Sequence, residues 1–470
     1  MTLSSLVAGK PVNGNGTLSV RSPYSGAEVG TVQMAGRADV DAAVAAAGTF
    51  TATPSRYERS TILEKARVAL ESRREEFARL ITSEAGLALR ETRYEVGRTL
   101  DVLRFASIEA LRDDGQIYSA DISPQGKARK IFTTREPLPC AAAITPFNHP
   151  LNQVAHKVAP AIAAGTPMVL KPSEKTPLVA LKFAELLYEA GLPGAMLSVL
   201  LGPTKEVAEP LTQHPDVDIL AFTGSVAVGK KISTTAGYKK LVLELGGNDP
   251  LIVLNDADLD LAVTLAAEGS YRNSGQRCTA VKRILVEDGI ADEFTRRFVE
   301  KTKEYVCGNP LDETTRVGTV IDEPSAIYLE TVVREAIAAG AKLLFGGNRL
   351  GALLEPTVIG DVPRDCRMVV CESFGPLAPI IRVRDLDDAL TLANGTAFGL
   401  SSGVVTTNLN SALRAIKTLR CGTVNINEVP GFRVENSPFG GIKDSGLGIK
   451  EGVVEAIKAY SFVKTFSLPW

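Results

Sequence analysis

The sequence predicts an α/β fold made of two strand–helix series and a small β arm. Three observations carry that expectation. Between Ala141 and Leu245, apolar runs of four or five residues alternate with helical stretches. A second alternation of the same kind begins near Pro250. Two extended segments, 116–135 and 457–470, lie outside both series. Strand–helix alternation argues for parallel sheets of doubly wound type, because parallel strands need crossover connections.

Residues 1–35 read as short strands and turns, with Thr17–Val20 and Ala27–Val32 extended. Three helical stretches follow. Asp39–Phe50 is alanine-rich. Tyr57–Ala85 sets Ile62, Leu63, Ala66, Leu70, Phe77 and Ile81 at helical spacing, and Leu87–Asp113 does the same with Val96, Leu100 and Leu103. The first series has strands at Ala141–Ile144, Pro167–Leu170, Leu197–Leu201, Ile219–Phe222 and Leu241–Leu245. Its helices run to Ala164 and over Leu178–Ala190, Lys205–Gln213 and Val228–Ala236. The second series has strands at Leu251–Leu254, Val281–Val286, Lys342–Leu344, Leu377–Arg382, Ser402–Val405 and Gly422–Ile426. Helices at 258–271, 289–305, 325–339, 386–394 and 409–419 link them.

A chain of 470 residues is long enough for two or three domains. At 45% hydrophobic and 23% charged residues, it has globular composition. A net charge of -2 argues against a nucleic-acid or membrane-surface partner. Met1-Thr2-Leu3-Ser4 shows no signal-peptide pattern, and no stretch of about 18 uncharged apolar residues occurs. The six cysteines, at 140, 278, 307, 366, 371 and 421, form no CxxC pair, which suits a reducing cytoplasm. The three histidines, at 149, 156 and 214, lack zinc-site spacing, so no metal site is expected.

Chemistry-bearing residues fall in the loops. Cys278 sits in a polar turn, Asn273-Ser274-Gly275-Gln276-Arg277-Cys278-Thr279. Thiolate is the nucleophilic form of cysteine, and Arg277 would favour it. Lys171-Pro172-Ser173-Glu174 offers a cation and a carboxylate, which suits ribose hydroxyls and repels a 2′-phosphate. Thr223-Gly224-Ser225 opens a helix, where free N–H groups and the dipole favour a pyrophosphate. The fingerprint GxGxxG is absent. Glu244 stands beside Gly246 and Gly247 and is a candidate general base. The Asn148 amide, in Pro146-Phe147-Asn148-His149-Pro150, is a candidate oxyanion donor. Taken singly, each has an ordinary reading too: a buried free cysteine, a surface turn, an N-cap, a salt-bridged glutamate.

Taken in order, these segments and Glu372-Ser373-Phe374-Gly375-Pro376 resemble the motifs of the NAD(P)-dependent aldehyde dehydrogenase superfamily, from about residue 20 to the C terminus. The resemblance implies a Rossmann-type NAD-binding domain (1–115 with 136–245), an α/β catalytic domain (246–435) and oligomerisation strands (116–135 and 457–470). It also implies a homodimer or homotetramer. By the same resemblance, Cys278 attacks the aldehyde, and Asn148 and the Cys278 N–H hold the oxyanion. Hydride then passes to the nicotinamide, and Glu244 activates the water that hydrolyses the thioester. Lys171, Ser173 and Glu174 would meet the adenosine ribose, and Thr223, Gly224 and Ser225 the pyrophosphate. Glu372 would hold the nicotinamide ribose, with Phe374 packing nearby. Glu174 favours NAD over NADP. Phe147 stands where the family usually has tryptophan.

Arg98, His149, Arg277, Thr279 and Arg433 are expected to line the substrate pocket, and so many cations suit a small anionic aldehyde. Arg98 has an alternative, since it could pair with Glu95 or Asp101 on its own helix. The segment 427–448 and the ending 464–470 resemble the branch of the family that oxidises phosphonoacetaldehyde. Sulfoacetaldehyde, sulfolactaldehyde and glyceraldehyde 3-phosphate are the rival substrates. A catalytically silent structural protein is the rival of another class, and the joint presence of Cys278 and Glu244 speaks against it.

Overall fold

The computed structural model describes residues 1–470. Five parallel strands form the centre of the first sheet: Ala141–Ile144, Met168–Lys171, Leu197–Val199, Ile219–Thr223 and Lys240–Glu244. They are almost wholly buried, which is why they read as continuous apolar runs rather than alternating ones. Their order places 141–144 beside both 168–171 and 219–223. The chain therefore builds outward on one side of 141–144 and then crosses to the other. That switch opens a crevice at the carboxyl ends of the strands, the usual ligand site of such sheets.

The second sheet runs 342–345, 357–360, 377–383, 281–287, 249–253, 401–405, 423–426, parallel except for its first pair. Residues 245–248 alone join Lys240–Glu244 of the first sheet to Asp249–Val253 of the second. So short a link brings the carboxyl ends of one sheet to the amino ends of the other. The catalytic candidates lie in the loops on both sides of that junction.

Several expectations need correction. Tyr57–Ala85 is two helices, Arg56–Ser72 and Arg74–Ala85, broken at Arg73 with φ -110° and ψ 17°. The helix expected over Lys205–Gln213 is only Ala208–Gln213. Strands Leu6–Val7 and Lys10–Pro11 extend the first sheet, and Thr357–Gly360 joins the second; none was expected. The tail is not extended from 457, because Val453–Ala459 is a helix whose apolar side joins the first core. The strand Ser461–Pro469 follows and pairs antiparallel with Arg129–Pro137, with Ile117–Ser119 on the far side. Phe462, Val463, Phe466 and Leu468 on that last strand are exposed. No helix is long and apolar enough to cross a membrane.

Two buried carboxyls fix the helices behind the site loops. Glu84 accepts from the N–H groups of Leu178 (2.9 Å) and Val179 (3.1 Å), at the start of Pro177–Glu189. Glu95 accepts from Leu151 (2.8 Å) and Asn152 (3.0 Å), at the start of Asn152–Ala164. Neither helix has a side-chain cap of its own, so these carboxyls take that part. Burial pushes Glu84 up to about 8 and Glu95 up to about 7.

Replacing Glu84 by Ala leaves two buried donors unpaired and is expected to cost about 1–3 kcal/mol, read as a lower urea midpoint. An unchanged midpoint would reject the capping role. The folded state also keeps protons on Glu84 and Glu95 that the unfolded chain has released above the ordinary 4.5. These groups therefore lower stability as pH rises from about 4.5 through 8, and Glu84→Gln should flatten that slope.

Candidate active site

The loop that carries Cys278 is held in an unusual backbone shape. Helix Leu259–Tyr271 starts at Asp258, whose side chain accepts from the N–H groups of Asp260 and Leu261. It runs into a tight turn in which Asn273, Ser274 and Gly275 have φ of 58°, 53° and 70°. A Cβ at Gly275 would stand 2.1 Å from the Gly375 carbonyl oxygen, so glycine is required there. Asn273 Nδ2 donates to the Asn148 carbonyl (2.9 Å), and Asn148 Nδ2 donates to the Gln276 carbonyl (2.9 Å). The two asparagines thus tie the loop after Ala141–Ile144 to the loop that carries Cys278. One hydrogen of the Asn148 amide is left over.

Lys282, which the sequence reading passed over, anchors this loop. Its ammonium is buried at 1% exposure and donates to the carbonyls of Gly247 (2.8 Å), Arg277 (2.8 Å) and Cys278 (2.7 Å). It also pairs with Glu372 Oε1 at 2.9 Å, and the Gly247 N–H donates to the same oxygen at 3.1 Å. A Cβ at Gly246 would meet Glu372 Oε2 at 2.2 Å, so the junction between the sheets needs glycine to admit that carboxylate. The one signal for Lys282 in the sequence is a cation near the start of a strand, Val281–Glu287, whose middle is apolar.

Burial pushes the Cys278 thiol up to about 11, with the Lys282 ammonium the main opposing influence. Glu244 ends strand Lys240–Glu244, and both its carboxyl oxygens are buried without a partner. Burial, with Glu451 nearby, raises it well above the ordinary carboxyl range. A buried carboxyl with no donor on either oxygen can take a proton near neutral pH.

Cys278 opens onto a cavity of about 260 Å³ that it shares with Arg98, His149, Arg277, Thr279 and Arg433. All five residues expected at the substrate therefore line one cavity with Cys278. Arg98 does not use its helix neighbours: its Nε donates to Glu435, a carboxylate that also bonds His156 Nε2. Arg277 donates to the carbonyls of Glu268 (3.0 Å) and Gly269 (2.7 Å). Arg433 stacks on the Phe439 ring at 4.0 Å. Arg272 was missed by the sequence reading and also lines the cavity, over Tyr94 at 4.3 Å and paired with Glu91 at 3.0 Å. Burial first, and then these guanidiniums, holds His149 well below 6.5, so its ring is neutral. Glu244 does not line this cavity.

The other expected residues sit apart from it. A second cavity of about 380 Å³ is bounded by Phe147, Gln276, Glu372, Ser373 and Phe374, with Phe147 edge-on to Phe374 at 5.9 Å. Along the carboxyl ends of the first sheet, Lys171 pairs with Glu174 at 3.0 Å, and Ser173 Oγ accepts from the Lys175 N–H. Ser225 caps helix Val226–Thr235 through the Val228 N–H, and the Gly224 N–H donates to the Glu244 carbonyl at 3.1 Å. Thr223 Oγ1 is buried with no partner. A carboxylate for a ribose diol, a free helix N terminus, an orphaned hydroxyl, and a second carboxylate beside two aromatic rings fit a dinucleotide.

The chain matches the description "Aldehyde dehydrogenase family" over residues 11–466. It is 40% identical to the 3-sulfolactaldehyde dehydrogenase of Priestia aryabhattai over 442 residues, covering 94% of this chain and 92% of that one. Among solved structures, an NAD-dependent aldehyde dehydrogenase from Sinorhizobium meliloti superposes with a TM-score of 0.95 at 36% identity, covering 100% of this chain and 95% of that one. An NADP-dependent glyceraldehyde-3-phosphate dehydrogenase from Bacillus halodurans C-125, complexed with NADP, does so with a TM-score of 0.96 at 34% identity, covering 100% and 99%.

The raised thiol predicts slow alkylation. Iodoacetamide labelling of the Cys278 peptide in cofactor-free enzyme, followed by mass spectrometry, should speed up about tenfold per pH unit from pH 7 to 10. Lys282→Met should slow it at every pH. A plateau below pH 8 would contradict this account of the resting thiol.

Proposed function

The chain belongs to the aldehyde dehydrogenase family, and from that premise we propose that it oxidises phosphonoacetaldehyde to phosphonoacetate, with NAD as acceptor. As a member it is an NAD(P)-dependent enzyme acting on the aldehyde group of a small substrate. One observation carries the finer reading: Arg98, Arg277, Arg433 and His149 share a small cavity with Cys278. Forked guanidinium bonds suit a tetrahedral oxyanion head, and about 260 Å³ suits a chain of two or three carbons.

In the proposed reaction, Cys278 Sγ gives up its proton to water in the cavity and bonds to the aldehyde carbon, whose C=O π pair moves onto oxygen. The oxyanion so formed takes the spare hydrogen of the Asn148 amide and the Cys278 N–H. Each such donor is worth about 3–4 kcal/mol. A bound nicotinamide dinucleotide supplies the hydride acceptor. Lys171, Ser173 and Glu174 hold its adenosine ribose, and Thr223, Gly224 and Ser225 its pyrophosphate. Glu372 and Phe374 hold the nicotinamide riboside. Glu174 favours NAD because its carboxylate repels a 2′-phosphate. Loss of that hydride from the tetrahedral carbon leaves a thioester on Cys278, and Glu244, in its ionised form, takes a proton from water, whose oxygen attacks the thioester carbon. The C–S bond breaks, the acid leaves, and the thiolate is restored.

A second reading keeps the chemistry and changes the head group. The Priestia aryabhattai relative is named for sulfolactaldehyde, and a sulfonate offers the same three oxygens. A phosphonate dianion would use the guanidiniums of Arg98, Arg272, Arg277 and Arg433 more fully than a sulfonate monoanion. We also assign residues 1–115 with 136–245 to cofactor binding and 246–435 to catalysis, in a cytoplasmic protein. Strands within 116–135 and 457–470 are assigned to a homodimer or homotetramer contact, because the apolar side chains of Ser461–Pro469 are exposed.

NADH formation compared across phosphonoacetaldehyde, sulfolactaldehyde, glyceraldehyde 3-phosphate and propanal tests the substrate reading. The expected kcat/KM order puts phosphonoacetaldehyde first and propanal last; propanal leading would refute the anionic pocket. Arg433→Ala should lower kcat/KM for phosphonoacetaldehyde by about 10- to 100-fold, the worth of one charged hydrogen bond. Cys278→Ala should abolish turnover. Light scattering at micromolar concentration should give a multiple of the chain mass, and a monomer would remove the proposed contact.

A further inference from the structure

Four guanidiniums, of Arg98, Arg272, Arg277 and Arg433, face one small cavity and repel one another, and partners placed behind them must offset that. Arg98 and Arg433 also border a third cavity, of about 350 Å³, which Glu435 lines as well. Glu435 is 4% exposed and follows Arg433 by two residues. Its backbone carbonyl accepts from the Val453 N–H (3.1 Å), which fixes the residue independently of its side chain. One carboxyl oxygen accepts from Arg98 Nε and the other from His156 Nε2, both in short contacts.

We propose that Glu435 is a specificity-determining positioning residue, which grips Arg98 from behind at Nε and so turns the two Nη groups toward the anionic end of the substrate. Arg98 has no other side-chain hydrogen bond, so this carboxylate alone sets its orientation. A guanidinium held at Nε by a carboxylate keeps its outer edge for a second oxyanion. Glu435 does not line the substrate cavity, so it acts through Arg98 and not by contact. His156 steadies the carboxylate from helix Asn152–Ala164. Burial works to raise Glu435, yet His156, Arg98 and Arg433 together hold it well below the usual carboxylate range, so it stays charged. The same charge lets Arg98 and Arg433 stand side by side.

This proposal rests on the reading that the cavity takes an anionic aldehyde, and the test separates the two. Initial rates are measured with phosphonoacetaldehyde and with propanal for wild type, Glu435→Gln, Arg98→Ala and the double variant. Glu435→Gln is expected to raise KM for phosphonoacetaldehyde tenfold or more, with kcat within threefold and propanal kinetics within threefold. In the Arg98→Ala background it should add less than a twofold change. Equal losses on both aldehydes, or a full tenfold effect on top of Arg98→Ala, would overturn the positioning role. A wild-type enzyme with no preference for phosphonoacetaldehyde would instead defeat the substrate reading and this proposal with it. If Glu435→Gln does not fold, Glu435→Asp keeps the charge but withdraws it by one methylene. Its KM for phosphonoacetaldehyde should then rise at least threefold, and an unchanged KM overturns the proposal.

Discussion

One buried ammonium holds the reaction centre in shape. Lys282 has three protons, and around it stand three carbonyls, from Gly247, Arg277 and Cys278, and the Glu372 carboxylate. Taking an ammonium out of water costs several kcal/mol unless its donors are met. The cost is offset here only when three separate pieces of chain, at 247, 277–282 and 372, converge, so the charge acts as a gauge of correct assembly. It fixes the carbonyl of the nucleophile itself and the carboxylate expected to meet a ribose. Arg283, next in the strand, repeats the device with the carbonyls of Asn248, Leu392 and Ala393.

The electrostatics of the centre set reactivity against burial. A thiol pushed up to about 11 is a poor nucleophile at neutral pH. Four pH units correspond to a cost on the order of 5 kcal/mol to form the thiolate. Such a thiol is protected from oxidation while the site waits, and the cost must be met by groups that arrive with substrate and cofactor. The substrate side shows the converse. Its guanidiniums are kept charged and each is held by a partner: Arg98 by Glu435, Arg272 by Glu91, Arg277 by helix carbonyls, Arg433 by an aromatic face. Held in this way, they lose little conformational freedom when an anion enters. His149 stays neutral among them and so adds a donor without adding repulsion.

What the sequence displayed and what it hid divide along a physical line. The site loops were legible because each carries residue types that serve a chemical task in a short span, as in Gly275-Gln276-Arg277-Cys278. Strands of the two series were legible because burial on both faces leaves them apolar throughout. Counter-charges were not legible. Arg98 has Glu95 and Asp101 within one turn, and local spacing pointed to them, yet its partner is 337 residues away. Lys282, Glu84 and Arg272 were hidden in the same way, since their partners are backbone groups or distant side chains. The break at Arg73 left no trace because Ser72, Arg73 and Arg74 include no glycine or proline to mark it. Strands of two residues, such as Leu6–Val7, are too short to show a period.

The arrangement of the sheets explains why selectivity and chemistry are separable in this chain. The first sheet offers its carboxyl ends, where helix N termini such as that of Val226–Thr235 suit a cofactor's phosphates. The second offers its amino ends, so Cys278 and Glu372 come just before their strands and not after them. The four-residue link 245–248 forces those ends together. The groups proposed to meet the substrate's head come mostly from elsewhere: helix Leu89–Glu109, the turn at 272–277 and the loop 430–436, with His149 from the loop 146–150. Only the Cys278 turn and the loop 146–150, with Asn148 and His149, belong to both sets. Substitutions in the helix or the 430–436 loop can therefore retune the pocket while the Lys282 clamp, the nucleophile and the cofactor loops keep their geometry. A cluster of guanidiniums is one setting of that pocket, and it persists only because carboxylates such as Glu435 are placed behind it.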